Sequence, residues 1–425
     1  MDSVSSRPKV AVVGAGISGL TAAHTLRDTH DVTLYECEAR LGGHAHTHDV
    51  PTRAGTAAVD SGFIVMNDRT YPQVSRLFEE LGVTVRPTEM SMSISCAGCG
   101  LAYVGGRGAG GLFAQRRRLL DPRHWRLLWE IRRFQRAASD HARDNPESLE
   151  SYGSFLDRRG FSDRLVSHFA LPVVSCVWSS GTDDALDYPA AYLFRFLANH
   201  GFLNIGGAPQ WYVVEGGSRE YVRRIAAALP DVRAAHRVLS VARKDDGVVI
   251  TDERGDQRRF DQVVLATHAD EALRLLADPT DDEFAVLGAF AYSSNLTQLH
   301  RDESVLPARL SERASWNLRL SECGTRSNLV QVSYWMNRLQ GHPESDPLVV
   351  TLNDPAGVDP AAVIASMRYS HPIYTPDSVA AQGRLPDLNT SRTAYAGAYH
   401  GWGFHEDGCR SGLAAAEHLR GAATC

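Results

Sequence analysis

Lysine is almost absent from this chain. Lys9 and Lys244 are the only two among its 44 basic residues; the rest are arginines. The skew reads mostly as genomic bias, yet it leaves lysine-dependent chemistry few places to occur. Cysteine is scarce too. Seven thiols, scattered and odd in number, do not make a disulfide framework. Reduced thiols in a cytosol are the plain expectation. Long apolar runs are missing. The longest candidate, LVSHFALPVVSCVW, is broken by His168, Pro172 and Ser175, short of the ~18 residues a membrane span needs. The first apolar run, VAVV, is too short for a signal-peptide core, so a cytoplasmic location is expected. There is no basic excess: the formal net charge is −6, which argues against a nucleic-acid partner. No solenoid repeat is visible, and GGRGAGG is the only low-complexity patch. What remains is the profile of a soluble globular protein, 43% hydrophobic and 22% charged. Its 425 residues suffice for two to three domains.

The first informative stretch is KVAVVGAGISGL, residues 9–20. Val10 to Val13 read as a parallel strand buried on both faces. Gly14, Gly16 and Gly19 then form G-x-G-x-x-G ahead of a helix. Gly14 allows the tight turn, Gly16 lets a pyrophosphate approach the backbone, and Gly19 lets helix and strand pack. Ser18, in the first helical turn, is grouped with them as a cofactor contact. The free N–H groups of the helix start favour phosphate. The next strand, VTLYE, ends in Glu36, about 20 residues beyond the first glycine, where a carboxylate accepts from both ribose hydroxyls and repels a 2′-phosphate.

The stretch LGGHAHTHD follows. His44, His46 and His48 alternate, so a strand would place all three imidazoles on one face. A metal site would need a further carboxylate or cysteine cluster, and none completes it; the expected resident metal is none. Arg40, Gly42 and Gly43 instead make an R-x-G-G loop. Together with G-x-G-x-x-G and the strand-end glutamate, this resembles FAD proteins related to amine oxidases and phytoene desaturases. The resemblance implies that Arg40, Gly42, Gly43 and His44 lie beside the FAD pyrophosphate and flavin, with His44 where most members have arginine. VDSGF, with Asp60 and Gly62, matches the strand near the flavin ring. YAGAYHGWGFHEDGCRSGLAAAEHL, beginning at residue 395, resembles the closing motif of the superfamily. There Gly403, Asp407 and Gly408 lead into a helix whose N-terminus faces the flavin pyrimidine. The backbone near Val238 would contact adenine. The closest likeness is to bacterial predicted NAD/FAD-binding oxidoreductases associated with cyclopropane fatty-acid synthases, through VDSGFIVMNDRTYP, SYWMNRLQ and GFHEDGCRSG.

The expected fold is therefore α/β: a Rossmann-like FAD-binding domain with an interleaved α+β substrate domain, a mixed sheet plus helices. The FAD domain is expected to be discontinuous, over 1–66, 206–290 and 394–425, with 67–205 and 291–393 forming the substrate domain. NLTQLH, LVQVSYWMN and PLVVTLN alternate in polarity and read as antiparallel strands. Residues 112–140 and 148–203 read mostly as helices broken by Pro122, Pro172 and Pro189.

Three further features invite other readings. Gly106, Gly108 and Gly111 repeat the G-x-G-x-x-G spacing, but no second strand with a terminal acid follows, so a glycine loop is expected rather than a nicotinamide site. Cys96 and Cys99 make CAGC. This reads as structural or incidental, with redox activity second, since no two further ligands of comparable spacing are evident for zinc. Residues 116–138 mix arginine and tryptophan. A substrate-domain helix burying Trp125, Leu128 and Trp129 is expected; peripheral membrane contact is the alternative.

For chemistry, relatives that oxidise amines usually carry a substrate-domain lysine near flavin N5. Lys9 and Lys244 do not match it. The resemblance thus favours an FAD-dependent oxidoreductase moving hydride between flavin N5 and a C–C or C=C bond of a hydrophobic or lipid substrate, by desaturation, saturation or isomerisation. Oxidation of an amine or amino acid is the alternative, and a non-catalytic FAD-containing partner in a lipid pathway the third reading. Cys409 does not match the cysteine that links flavin covalently in some relatives, so non-covalent FAD is expected. His405 is the first candidate acid/base group, with a pKa near neutrality. His371, before Pro372, is the second. Trp178, Trp335, Tyr399 and Trp402 are expected in the core rather than the cavity wall.

Overall fold

The computed structural model describes residues 7–178, 181–203, 208–324, 331–354 and 356–422, apart from the side chains at 182 and 183. The expected domain boundary at 205/206 lies outside them. Five parallel strands form the first sheet: β1 (Lys9–Val13), β2 (Asp31–Tyr35), β3 (Asp231–Arg233), β4 (Gln262–Leu265) and β5 (Thr393–Tyr395), in the order β3-β2-β1-β4-β5. Both faces of β1 are covered, which is why its apolar run is unbroken. Val10 and Val12 pack with Leu20, Leu26 and Leu419. Ala11 and Val13 point the other way, toward Val263, Leu265 and Val286. Each fully buried leucine here contributes about 2 kcal/mol by burial.

Strand order reverses direction at β1, so the crevice beyond its carboxyl end is where a ligand belongs. The helix α1 (Ile17–Leu26) starts there, and the C-terminal helix α2 (His405–Ala422) crosses it. Side chains at Gly408 and Gly412 would overlap Ile17 and the Ser18 carbonyl. Small residues on α2 therefore let the two helices meet closely over Ser18.

The second layer is a seven-stranded sheet ordered Val363–Ile373, Ala291–His300, Val349–Leu352, Val332–Trp335, Trp316–Leu320, Met92–Cys96, Leu101–Gly105. Its pairings are antiparallel except Trp316–Leu320 with Met92–Cys96, so the sheet is mixed. Helices between residues 122 and 199 cover it through one large core that includes Phe134, Phe155 and Phe194. The helix Pro72–Leu81 packs on the other core, with Val74, Leu77 and Phe78 against the α1 and α2 side.

Several local expectations change. Pro122 starts a helix, Pro122–Asp144, with Asp121 accepting from the Arg123 N–H as its cap. Pro172 lies within a helical run, just after a π-helical turn at Val166–Ala170. Lacking an N–H, it leaves the His168 carbonyl free, and the Tyr103 hydroxyl donates to that oxygen at 2.8 Å. Gly108 to Leu112 form a five-residue helix rather than a loop. They follow an antiparallel edge strand, so the second glycine motif is no dinucleotide fold. Trp125 and Trp129 are 50% and 62% exposed, contrary to the expected burial; the helix buries His124, Leu127, Glu130 and Phe134 instead. Among the described residues, no helix is long and apolar enough to cross a membrane.

Candidate active site

A cavity of about 510 Å3 runs from the end of β1 and β2 to the mixed sheet. At its first end Gly14 has φ +102°, and a side chain there would meet the Ala266 carbonyl at 2.7 Å; only glycine makes this turn. Gly16 differs: nothing lies within 4 Å of where its Cβ would be. No side chain caps α1, so its first N–H groups open on the cavity beside Gly16, Ile17 and Ser18. Glu36 accepts from the Ala15 and Glu38 N–H groups, both at 2.9 Å. A carboxylate keeps further lone pairs for hydroxyls. Gly19 does not line the cavity; a side chain there would overlap the Gly14 carbonyl, so it serves the strand–helix contact. Val238 lines the same end with His236 and Arg237.

The R-x-G-G loop is built as a support. Arg40 turns back and donates to the carbonyls of Leu41, Ala45 and Gly43 at 3.1, 3.1 and 2.9 Å. Arg40 and Gly42 therefore hold the loop and do not line the cavity, whereas Gly43 and His44 do. Gly42 has φ +111°, and its N–H donates to the Ala15 carbonyl at 2.8 Å, tying the two glycine loops together. Gly62 lies so close to the His44 carbonyl that a side chain would overlap it. Asp60 is buried behind this strand. It accepts from Thr47 Oγ1 (2.6 Å), Ser218 N (2.9 Å), Ser218 Oγ (2.7 Å) and Gln340 Nε2 (2.7 Å). Burial still raises its pKa to about 6.

Four histidines converge near the middle of the cavity: His44, His268, His371 and His405. His44 stacks obliquely on Tyr369 and His371, with ring centroids 5.0 and 5.3 Å away. Its Nε2 is buried without a hydrogen-bond partner. Burial, then His371, holds its pKa well below the usual imidazole range. The other two histidines of LGGHAHTHD turn aside: His46 contacts the Tyr369 hydroxyl at 3.0 Å and His48 contacts Ser61 Oγ at 2.8 Å. His371 lies within a strand rather than a turn. Asn295 donates to its Nδ1 at 3.0 Å, and burial lowers its pKa to about 4. His405 stacks on Phe63, 3.7 Å between centroids and 4° from parallel, with Nε2 3.0 Å from the Tyr221 hydroxyl. Burial lowers its pKa to about 3. The expectation of a histidine titrating near neutrality is thus corrected. Burial keeps His44, His371 and His405 neutral.

A pH consequence follows. The folded pKa of His405 lies below the ordinary value of about 6.5. Its contribution to stability is therefore complete above pH ~6.5 and is lost as pH falls toward about 3. In His405→Phe the fall in unfolding free energy over this window should be shallower than in the wild type, by up to about 1.4 kcal/mol per pH unit. Urea titrations of the holoenzyme at stepped pH measure it.

Asp407 and Gly408 do not line the cavity. Asp407 caps the α2 start, accepting from the Phe404 N–H at 3.1 Å and from Arg410 at 3.0 Å; burial raises its pKa to about 6. Gly403, with φ +90°, does line it. Cys409 faces Thr21 between the helices, and burial pushes its thiol up to about 12.

The far end of the cavity is walled by Trp178, Phe196, Trp211, Trp316, Tyr334 and Trp402. Trp178 and Tyr399 are core residues as expected, and Trp402 packs against the same core as Trp178, but all three also line the cavity; Trp335 sits apart in a separate core cluster. The charged lining residues among those described, Glu36, Arg237, Glu271 and Arg274, belong to the nucleotide half. Neither lysine lines the cavity. The sequence reading missed His268 and the mixed-sheet wall. Position was the available signal for His268: it lies three residues beyond Leu265, the last residue of β4, at the carboxyl edge of the parallel sheet.

The residues fit FAD: an open position at Gly16, an uncapped helix start, an acid ending β2, and the unpartnered His44 Nε2. This fold and site define an FAD-dependent oxidoreductase. Residues 17–300 match the family described as flavin containing amine oxidoreductase, and the chain belongs to it. Over 44 residues the chain is 54% identical to tryptophan 2-monooxygenase of Allorhizobium ampelinum, covering 10% of this chain and 6% of that protein. Over 41 residues it is 51% identical to flavin-dependent L-tryptophan oxidase RebO of Lentzea aerocolonigenes, 9% of each. The chain thus spans less than a tenth of these curated relatives. Its fold is similar to cyclohexylamine oxidase from Brevibacterium oxydans IH-35A, with TM-score 0.72 and 15% identity over 99% of this chain and 100% of that one. It is also similar to a CLA-producing fatty acid isomerase from P. acnes, with TM-score 0.69 and 16% identity over 97% and 99%.

Proposed function

We propose that the protein acts on an uncharged, hydrophobic, lipid-like substrate, at a C–C or C=C bond, by desaturation, saturation or double-bond isomerisation. The carrying observation is the aromatic and aliphatic far end of the cavity, which has no charged side chain among the described residues. Burying an ammonium there without an anion would be strongly unfavourable. Bound FAD supplies the hydride acceptor or donor. Gly16 and the α1 N-terminus hold its phosphates, Glu36 its ribose, and the loop braced by Arg40 keeps His44 in place. His371 and His405 orient and exclude water as neutral groups. The aromatic walls exclude solvent from the reacting bond.

Oxidation of an amine or amino acid is the second reading. The family supports it, and aromatic rings such as Trp178 and Trp316 attract cations through their faces. Incubation with monounsaturated fatty acids and simple amines separates the two. Lipid products with a changed number or position of double bonds are expected. Rapid oxygen uptake with amines, and unchanged lipid, would favour the second reading.

Residues 116–138 support a peripheral membrane contact. Leu120 is 90% exposed, and Leu119, Trp125 and Trp129 flank it. Arg116, Arg117, Arg123 and Arg126 are exposed beside them. Such a basic, aromatic surface fits an anionic lipid interface. The protein should float with anionic vesicles, and Trp125→Glu/Trp129→Glu should remain in the soluble fraction. Equal flotation of the double variant would remove this contact from the account.

A further inference from the structure

The sequence reading found no further ligands for Cys96 and Cys99, and the fold corrects it. Cys96 ends one strand of the mixed sheet, and Cys99 lies in the turn that follows. Cys323 comes from the segment after Trp316–Leu320, which pairs in parallel with Met92–Cys96. His168 comes from the π-helical turn before Pro172. The three sulfurs and one imidazole nitrogen all lie within 4.8 Å of one another. None of the four lines the FAD cavity.

We propose that Cys96, Cys99, Cys323 and His168 form a structural zinc site. Tetrahedral zinc with thiolate and imidazole ligands requires S···S edges of about 3.8 Å and S···N edges of about 3.6 Å. Cys96 Sγ lies 3.7 Å from Cys323 Sγ, and Cys99 Sγ lies 3.5 Å from His168 Nε2. The imidazole is already oriented as a ligand. Its Nδ1 faces Ser167 Oγ at 2.7 Å and the Arg164 carbonyl at 3.2 Å. A proton on Nδ1 donated to that carbonyl leaves the Nε2 lone pair toward the sulfurs, the arrangement that fixes metal-bound histidines. The Tyr103 hydroxyl on the His168 carbonyl holds the backbone there.

The loops are shaped for convergence as well. A side chain at Gly98 would crowd Cys323 N and Glu322 Cα, each at 3.1 Å. Gly100, at φ +63°, turns the chain after Cys99. Arg118 spans the turn, donating to the Cys99 and Gly100 carbonyls at 3.3 and 2.8 Å. Zinc with three thiolates carries one net negative charge, and this arginine lies beside it. Binding displaces the three thiol protons to solvent, with no change of oxidation state. Four protein ligands leave no open position, so the role is structural. The site joins the edge of the mixed sheet to the helix Leu171–Trp178, which supplies Cys176, Val177 and Trp178 to the cavity wall.

Untagged full-length protein, purified without chelators and analysed for metal by mass spectrometry, should carry about one zinc per chain, in the range of other structural sites. A mercurial thiol reagent should release it. Cys323 is exposed, so Cys323→Ser should keep its FAD while zinc affinity falls at least about tenfold. Growth on cobalt should give the visible bands of tetrahedral cobalt thiolate. Three results would each overturn the proposal: wild type that stays zinc-free after incubation with zinc sulfate under reductant; full zinc in folded Cys99→Ser/Cys323→Ser; or a Cys96–Cys323 disulfide in protein purified anaerobically. If the double variant does not fold, wild-type stoichiometry and the cobalt spectrum decide.

Discussion

Gly16→Val should give a folded protein that no longer holds FAD. The backbone at Gly16 is extended, with φ −71° and ψ −178°, which any L residue adopts. No atom lies within 4 Å of the added Cβ, so the apoprotein has nothing to rearrange. The space is instead the cavity beside the first N–H groups of α1, where a pyrophosphate must come close to the backbone. Two methyl groups there displace it. A loss of about 100-fold in FAD affinity, about 2.7 kcal/mol, is a lower bound for pushing a diphosphate off its donors. The purified variant should be colourless, with a far-ultraviolet circular dichroism spectrum and urea midpoint equal to those of deflavinated wild type. Gly19→Val provides the contrast. Its side chain would overlap the Gly14 carbonyl, so it should lose the fold along with the cofactor. A yellow Gly16→Val protein with one FAD per chain would contradict this placement of the phosphates.

Asp60→Ala should produce the largest loss of stability among single polar substitutions near the site. Asp60 is 1% exposed. Its carboxylate receives donors from three separate segments: Thr47, the Ser218 start of the helix Arg219–Ala227, and Gln340 from the mixed-sheet side. The Gln340 amide oxygen in turn accepts from the Asp60 N–H at 3.0 Å. Truncation leaves these donors buried and unpaired, at about 1–3 kcal/mol each. A total loss of about 3–5 kcal/mol is expected, read as a lower urea midpoint. Asp60→Asn keeps the shape and removes the ionisation. Because burial raises the folded pKa to about 6, the stabilising effect of protonated Asp60 is complete below the ordinary carboxylate pKa and is lost as pH rises through about 6. The stability advantage of wild type over Asp60→Asn should therefore narrow between about pH 4 and about pH 6, from the ordinary carboxylate pKa to the folded one. An unchanged midpoint in Asp60→Ala would mean that this junction is not what holds the three segments.

The nucleotide half of the site was legible because its chemistry is local. Gly14, Gly16, Gly19 and Glu36 stand within one strand-helix-strand unit, and their spacing is dictated by the turn and the ribose. The substrate half was not. Trp178, Trp316, Tyr334 and Trp402 come from distant segments, and only the packing of the mixed sheet brings them together. His405 was found at the right helix start, but its neutrality depends on Phe63 and Tyr221, which no local pattern announces. The helix Pro122–Asp144 carries two apolar faces, Leu127 with Phe134 and Trp125 with Trp129; periodicity identified the helix, but the face expected to be buried, that of Trp125 and Trp129, is the exposed one. Cys96 and Cys99 were visible as a pair. Cys323 and His168 were not, because ligand spacing is a local signal and these two arrive through sheet pairing and a π-helical turn.

The proposed substrate is an uncharged apolar chain seated in the cavity beyond the flavin site. Titrating the holoenzyme anaerobically with an unsaturated fatty alcohol and with the alkylamine of equal chain length, while following the flavin absorption spectrum, tests it most directly. The alcohol should perturb the spectrum at concentrations at least about tenfold lower than the amine, a difference of about 1.4 kcal/mol, because no anion in the far half compensates an ammonium. Tighter binding of the amine, with bleaching of the flavin, would exclude an uncharged apolar substrate and place the protein among enzymes that oxidise amines.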